Sequence, residues 1–359
     1  MKLIDKSLST RVLMVGVTCR ADKPNGGGVS SVVATYNQYI DGLRYIPTWK
    51  QTNKFGKAIF FFWNYLWLLL LLCFDWRIRI VHIHAASDAS FERKMLVFRL
   101  ARFFGKRTIL HMHAGEFDRY YKGSSRKRQI KSVILNCDKL IALSSSWRDY
   151  YVSFGKKEND VLLLNNIVES PRKAKTYSKD VHLLFLGWLG DKKGVFDLLD
   201  VIVEHKEYLS GKLQLRLGGF DNYDRIQTII DDNGIQDIVT LEGWVSGDKK
   251  EECLNWANVF ILPSYYEGLP ISILEAMSYG MPVISTTVGG IPEIVKNGEN
   301  GFTVTPGNKE QIWDAIRFFL RHPEEIENYG KKSLELVKPY TPECVLNDLR
   351  KIYLDLLRK

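Results

Sequence analysis

Hydrophobic positions along the chain fall into two alternating series. The first opens with Val12-Leu13-Met14-Val15-Gly16-Val17, a short apolar run of the kind that fills a parallel strand covered on both faces. A loop over 21–28 ends in Gly26-Gly27-Gly28. A helical pattern follows from Val29, with Val32, Val33, Tyr36 and Tyr39-Ile40 on one face. Strand, glycine loop and helix in that order open a doubly wound domain. Further strands are expected over 78–84, 108–111 and 139–143, with helices around 91–104 and 124–137 between them. This alternation implies a parallel sheet with helices on both faces.

The second series predicts strands over 182–187, 213–218, 238–242, 258–263 and 282–286. Its helices are expected over 194–209, 222–233, 248–256, 270–279 and 308–321. Near the end, Thr341-Pro342-Glu343 leads into Val345, Leu346, Leu349, Ile352, Tyr353 and Leu356. Thr as N-cap with Pro at the first helical position starts a final amphipathic helix. A turn-rich basic stretch over 165–180, which includes Pro171, reads as a linker. With 359 residues, the chain suits two α/β domains of ~150–200 residues. The expected division is 1–172, then 173–340, then a C-terminal helix over 341–359 that packs back toward the first domain.

One segment breaks the pattern. Ala58 to Phe74 is a run of 17 residues with one polar interruption, Asn64. At ~1.5 Å per residue it covers roughly 25 Å, short of the ~30 Å hydrocarbon core of a bilayer. Three readings stand: a core helix, a helix with one face on a membrane surface, and a span. A span would separate the first strand from those that follow. Trp63, Trp67 and Trp76 are residues suited to a bilayer interface.

Charge adds to this picture. Residues 1–175 carry 30 Lys and Arg against 13 Asp and Glu, whereas 176–359 carry 20 against 28. A basic first half fits an anionic membrane, an anionic substrate or nucleic acid. Nucleic acid is the weakest of these, because no recognition motif accompanies the charge. Basic charge next to an apolar run favours peripheral contact with an anionic membrane. Five cysteines are scattered, with no C-x-x-C pair, which argues against a disulfide framework and a structural zinc site. No apolar segment follows Met1-Lys2-Leu3-Ile4-Asp5-Lys6, so no secretory signal is expected. The expected location is cytoplasmic, on the inner face of the cell membrane.

The segment 260–285 is the most informative. A strand ends near Pro263, and a loop carries Glu267 and Gly268. Pro270 sits where a first helical residue belongs, and Gly280 where a left-handed C-terminal cap belongs, with Pro282 blocking continuation. The helix N-terminus favours an anion such as a diphosphate. Glu275, set among Ile273, Leu274, Ala276 and Met277, needs hydrogen-bond donors, which ribose hydroxyls would supply. A loop acid and a helix acid eight residues apart can embrace one extended ligand.

Glu267 and Glu275, in Ser-Tyr-Tyr-Glu-Gly-Leu-Pro and Leu-Glu-Ala-Met, resemble the E-x7-E signature of the "glycosyl transferases group 1" family of retaining GT-B enzymes (glycosyltransferase family 4 type). The likeness extends through Gly289-Gly290-Ile291-Pro292-Glu293 and Asn300-Gly301-Phe302. It implies a GT-B fold: two Rossmann-like doubly wound domains facing a central cleft. It also implies Glu275 on the nucleotide ribose, Glu267 on the donor sugar, and Gly268, Leu269 and Pro270 beside sugar or diphosphate. Phe185-Leu186-Gly187-Trp188-Leu189-Gly190-Asp191-Lys192-Lys193-Gly194 resembles the family's diphosphate loop, with Gly187 and Lys193 in place. Trp188 stands where the family usually has arginine, so leaving-group stabilisation would rest on Lys193 alone or on an arginine from elsewhere.

Gly27 and Gly28 resemble the family's N-terminal glycine loop. Gly218-Gly219 and Gly243-Trp244-Val245 resemble its nucleotide-pocket turns and implicate Gly219 and Val245. His111-Met112-His113 resembles the strand end that brings a histidine beside the anomeric carbon, and His113 is the better match. The resemblance implies a retaining hexosyltransferase that uses a nucleotide-sugar. No D-x-D-like motif is evident, so no metal or other cofactor is expected. The basic, aromatic-rich first domain suggests a polyprenyl-diphosphate-linked saccharide acceptor and bacterial surface polysaccharide assembly. The alternatives are a sugar-nucleotide epimerase or hydrolase of the same fold, and a non-catalytic membrane-binding protein.

Overall fold

The computed structural model describes residues 2–18, 27–169, 171 and 180–358. Among the described residues, twelve strands form two six-stranded sheets. The first holds β1 (Val12–Gly16), β2 (Tyr45–Pro47), β3 (Ile80–Ala85), β4 (Arg107–Met112), β5 (Lys139–Ala142) and β6 (Val161–Leu163). The second holds β7 (Val181–Trp188), β8 (Leu213–Phe220), β9 (Val239–Gly243), β10 (Val259–Leu262), β11 (Val283–Thr286) and β12 (Gly301–Val304). Every pairing is parallel. The spatial orders are β2-β1-β3-β4-β5-β6 and β12-β11-β10-β7-β8-β9. In each sheet the first strand lies inside and the chain leaves it in both directions, which opens a crevice at the strands' carboxyl ends.

Two compact units correspond to the two sheets. One contains the described residues through Ile167 together with the final helix, Pro342–Arg358, and the other is Val168–Thr341. Of the expected linker, residues 170 and 172–179 lie outside the described residues. Ile167 and Val168 are buried, and Val168 N–H donates to Tyr340 O at 2.9 Å.

Each predicted strand is present within a residue or two. The patterning missed β2, β6 and β12, of three or four residues each. The helix expected over 194–209 breaks at His205 into Val195–Glu204 and Lys206–Leu209. At the last helix Thr341 is extended as expected, but its hydroxyl donates back to Lys338 O at 3.0 Å.

The first sheet has unlike faces because side chains alternate along a strand. Val81, Ile83 and Ala85 of β3, with Leu110 and Met112 of β4, face an apolar core. Phe91 and Met95 of the Asp88–Phe103 helix join that core, as do Leu68 and Leu72 of the Lys54–Phe74 helix. The intervening residues His82, His84 and His111 occupy the opposite face, all buried. Tyr36 of the Gly27–Tyr39 helix and Tyr353 of the final helix lie against them.

The apolar segment forms a 21-residue helix, Lys54–Phe74, longer than the 17-residue run. Asn53 caps it by accepting from Gly56 N–H at 2.7 Å, a contact worth about 1 kcal/mol. Asp75 ends it and binds Arg77 and Arg44 at 3.0 and 2.7 Å. Those guanidiniums, Arg77 foremost, hold the Asp75 carboxyl well below the usual carboxylate range. By length and composition this helix is apolar enough to cross a membrane. It is also the crossover joining β2 to β3, which flank β1 in one sheet.

Candidate functional site

In the second unit the crevice lies between β7 and β10, and the loops that follow these strands carry the candidate residues. Gly194 closes the first loop with φ of +68°, and a Cβ there would sit 2.1 Å from Pro263 O. Glycine is therefore required both for the left-handed turn and for the approach of the two loops. Tyr265 N–H donates to Lys192 O at 2.9 Å, and Tyr265 hydroxyl donates to Asp197 Oδ2 at 2.9 Å. Stitched this way, Lys193 Nζ reaches Glu267 Oε1 at 2.5 Å, and Ser264 Oγ donates to the same oxygen at 2.8 Å. Glu267 is 8% exposed, and Lys193 is partly buried beside it. The sequence pointed to both residues, and the fold makes them one ion pair.

Gly289 fixes the other side of the Glu267 loop. Its φ is +56°, and a Cβ would lie 2.0 Å from Glu267 O. Gly290 N–H donates to Gly268 O at 2.7 Å. Pro270 is extended and precedes the helix Ile271–Ser278, so it is the capping residue and not the first helical one as expected. The first N–H groups of a helix have no partner within the helix, and this end opens onto the loop that carries Glu267. Gly280 has φ of +68°. Its N–H bonds Met277 O at 2.9 Å and Met281 N–H bonds Ala276 O at 3.1 Å, which is a Schellman ending.

Glu275 projects from the second turn of that helix. Its Oε1 accepts from Lys250 Nζ at 2.5 Å. Lys250 was not singled out in the sequence; it looked like any polar residue of the Gly247–Trp256 helix, and only the fold sets it opposite Glu275. The two acids are thus each held by one lysine, Glu267 on the loop before the Ile271–Ser278 helix and Glu275 in its second turn.

The glycines of β7 and β8 bring these strands close. Gly187 and Gly219 are in register, and a Cβ on Gly219 would stand 1.8 Å from Gly187 O. Val245 is buried, and a Cβ on Gly218 would lie 2.8 Å from it. Next to Val245, Trp244 Nε1 is buried with no hydrogen-bond partner among the described residues. Trp188, at the position of the family arginine, donates from Nε1 to Asp221 Oδ2 at 2.9 Å. Asp221 and Asn222 are non-glycine residues held at positive φ. Arg225 lies 3.6 Å from Asp191 and stacks its guanidinium over Phe196, so an arginine does reach the loop that carries Lys193.

In the first unit Gly27 and Gly28 form the first turn of the Gly27–Tyr39 helix, which starts two residues earlier than expected. Gly26 and the preceding loop lie outside the described residues. His113 follows β4, and its N–H donates to Ala85 O at 2.8 Å. It joins a two-by-two array of imidazoles: His84 Nδ1 and His113 Nε2 are 2.9 Å apart, His82 Nε2 and His111 Nδ1 3.2 Å, and Tyr353 hydroxyl sits 2.7 Å from His82 Nδ1. Burial pushes His82 and His113 down to about 3 and His84 and His111 well below their ordinary value, so all four are neutral near pH 7. Nitrogens of His82, His84 and His111 lie within 4.8 Å of one another, a spacing compatible with a shared metal ion.

Lys94 also escaped the sequence reading. It is fully buried, and its Nζ donates to Gly16 O at 3.2 Å and to Thr48 Oγ1. Desolvation pushes it down to about 7.

Two doubly wound units, each with a six-stranded parallel sheet, give a fold of the GT-B class. Residues 166–335, just under half of the chain, match the family model described as "Glycosyl transferases group 1". An amylovoran biosynthesis glycosyltransferase of Erwinia amylovora is 24% identical over 245 residues, covering 64% of this chain and 58% of that protein. An uncharacterized glycosyltransferase of Methanocaldococcus jannaschii is 31% identical over 174 residues, covering 48% and 44%. The matches thus span about half the length of these curated relatives. Among solved structures, a sucrose-phosphate synthase of Thermosynechococcus elongatus superposes with a TM-score of 0.76 at 17% identity, covering 97% of this chain and 99% of that one. Anabaena HepE, solved in complex with UDP, gives 0.74 at 14% identity, covering 96% and 99%.

Proposed function

We propose that this protein is a retaining glycosyltransferase that moves a sugar from a nucleotide-sugar to a membrane-associated saccharide, most simply a polyprenyl-diphosphate-linked one, in the assembly of a bacterial surface polysaccharide. The observation that carries the reading is the Lys193–Glu267–Ser264 cluster at the crevice between β7 and β10, beside the N-terminus of the Ile271–Ser278 helix. Relatives add support: the Erwinia amylovora protein is an amylovoran biosynthesis glycosyltransferase, and the Anabaena structure holds UDP.

In this reading the donor exchanges partners with the two lysines. Diphosphate oxygens draw Lys193 toward the leaving group, and the freed Glu267 oxygens accept from sugar hydroxyls. Glu275 takes the ribose hydroxyls while Lys250 keeps its carboxylate aimed. Gly187, Gly219, Val245, Gly268, Leu269 and Pro270 shape the nucleotide and diphosphate path, with Gly27 and Gly28 serving the phosphate from the first unit. A lysine and a helix N-terminus supply positive potential as negative charge develops on the departing diphosphate. No divalent metal is then needed. His113, neutral and held by His84, serves the anomeric centre by hydrogen bonding, not as a charged acid. The acceptor attacks from the face that the diphosphate leaves, and a departing phosphate oxygen takes its proton.

The test is a panel of nucleotide-sugars assayed for nucleotide release with and without membrane lipid extract. The reading expects release that depends on extract, survives EDTA, and gives a product with the donor's anomeric configuration by NMR. Equal release without acceptor would instead favour a hydrolase. Inversion would remove the retaining assignment, and loss of activity in EDTA the metal-free one.

A further inference from the structure

The Lys54–Phe74 helix places an apolar stripe on the surface of the first unit. Phe55, Ile59, Trp63, Trp67, Leu70 and Phe74 follow one another at spacings of three or four, Phe62 lies next to Trp63, and all seven are 40–79% exposed. Trp76, just past the helix, and Phe103, at the end of the Asp88–Phe103 helix, are each 82% exposed. Scattered single apolar residues on a surface need no explanation, but a continuous aromatic ridge does. Nothing polar interrupts it: Asn64 turns its amide back onto Phe60 O at 2.8 Å.

We propose that this ridge docks the protein onto an anionic lipid bilayer, with the helix lying in the plane of the interface and not crossing it. The charges around the ridge select the occupant. Lys50, Lys54, Arg77, Arg99 and Arg102 are exposed around it, and Arg99 is close enough to act on the Tyr65 hydroxyl. The neighbouring acid Asp75 is already held by Arg44 and Arg77. A second copy of this chain would set these cations against themselves, whereas anionic headgroups neutralise them while acyl chains receive the aromatics. Tryptophan, phenylalanine and long cations side by side are the composition of an interfacial helix.

The fold argues against a span. Leu68 and Leu72, on the side of the helix away from the ridge, are 1% and 3% exposed within the core under the first sheet, with Tyr65 and Leu71 packed beside them. Moving this helix into a bilayer would strip those contacts and detach β2 from β3. Docking in the plane leaves them intact. The proposal goes beyond the transferase reading, and it is measured with no donor present, so either can fail alone.

The experiment is flotation of the full chain with vesicles of phosphatidylglycerol and phosphatidylcholine, and with phosphatidylcholine alone. Binding is expected to need the anionic lipid and to weaken in high salt. Lipids brominated near the headgroup should quench tryptophan fluorescence more than lipids brominated at the acyl terminus, and alkaline carbonate should release the protein. The triple variant Phe62→Ser, Trp63→Ser, Trp67→Ser should bind roughly 100-fold more weakly. The pair Lys54→Glu, Arg99→Glu, which leaves the ridge intact, should bind roughly tenfold more weakly, with thermal unfolding unchanged. Three results would overturn the idea: binding indifferent to both variants; quenching from the bilayer centre with resistance to carbonate; or a lipid-independent dimer that the triple variant dissolves.

Discussion

The two units share an architecture and differ in where they put polarity. Each is a six-stranded parallel sheet entered through an inner strand. The second unit buries aliphatic strands and collects its chemistry at their carboxyl ends, where Glu267 and Glu275 each meet a lysine. The first unit does the reverse. It buries three neutral imidazoles and a lysine in its interior, with the partly buried His113 beside them, and displays tryptophan and phenylalanine outside. A doubly wound sheet thus dictates the crevice but not the solvent that each face meets. The second unit reads as a pocket for a small anionic ligand. The first reads as a rigid polar support with a surface for an apolar phase.

That contrast can be broken experimentally, beginning with the acid at the second crevice. Glu267→Gln keeps the shape and removes the charge; transfer should fall by about 10³-fold, measured as kcat for nucleotide release, with the melting temperature little changed. A loss of less than tenfold would move the chemistry elsewhere. Lys193→Met should cost about 10²-fold in kcat, and the double variant should be little worse than Glu267→Gln alone, because the two residues act as a unit. Gly194→Ala puts a methyl against Pro263 O at a left-handed turn. It should lower stability by about 1–3 kcal/mol and reduce kcat as the loops part, read by calorimetry and nucleotide release together.

The imidazole array predicts an acid-side stability loss confined to the first unit. Its four histidines bind protons less readily folded than unfolded. Their contribution is therefore complete above the unfolded value near 6.5 and is lost as pH falls from there toward about 3. Each histidine adds a slope of about 1.4 kcal/mol per pH unit in that window, and urea titrations between pH 7 and 4.5 measure it. A flat profile would mean that the rings are hydrated. The smallest expected effect is that of His84→Asn, which deprives His113 Nε2 of its 2.9 Å partner. Roughly tenfold in kcat with KM unchanged is expected, and a pure KM effect would count against a positioning role.

Much of the candidate site was legible in sequence because local chemistry marks it. Pro270, Gly280 and Pro282 bracket a short helix whatever surrounds it, and Gly194 and Gly289 are glycines because their φ values are positive. Short continuous apolar runs identified nine of the strands, including four-residue β5, β10 and β11, whereas β2, β6 and β12 were not recognised. The array around His113 was half visible: residues two apart share a face, so His82 and His84 belong together, as do His111 and His113, but their parallel register is a tertiary fact.

The sequence alone determined the order of strands and helices, the two glutamates eight residues apart and the glycine-bounded loops, since these follow from torsion preferences and side-chain period over a few residues. Only the tertiary structure decided that Lys193 and Glu267, 74 positions apart, form a pair, that Lys250 holds Glu275, and that one side of the Lys54–Phe74 helix stays bare. Those outcomes depend on which strands become neighbours and how much apolar surface one sheet can cover, and no local window of residues contains that information.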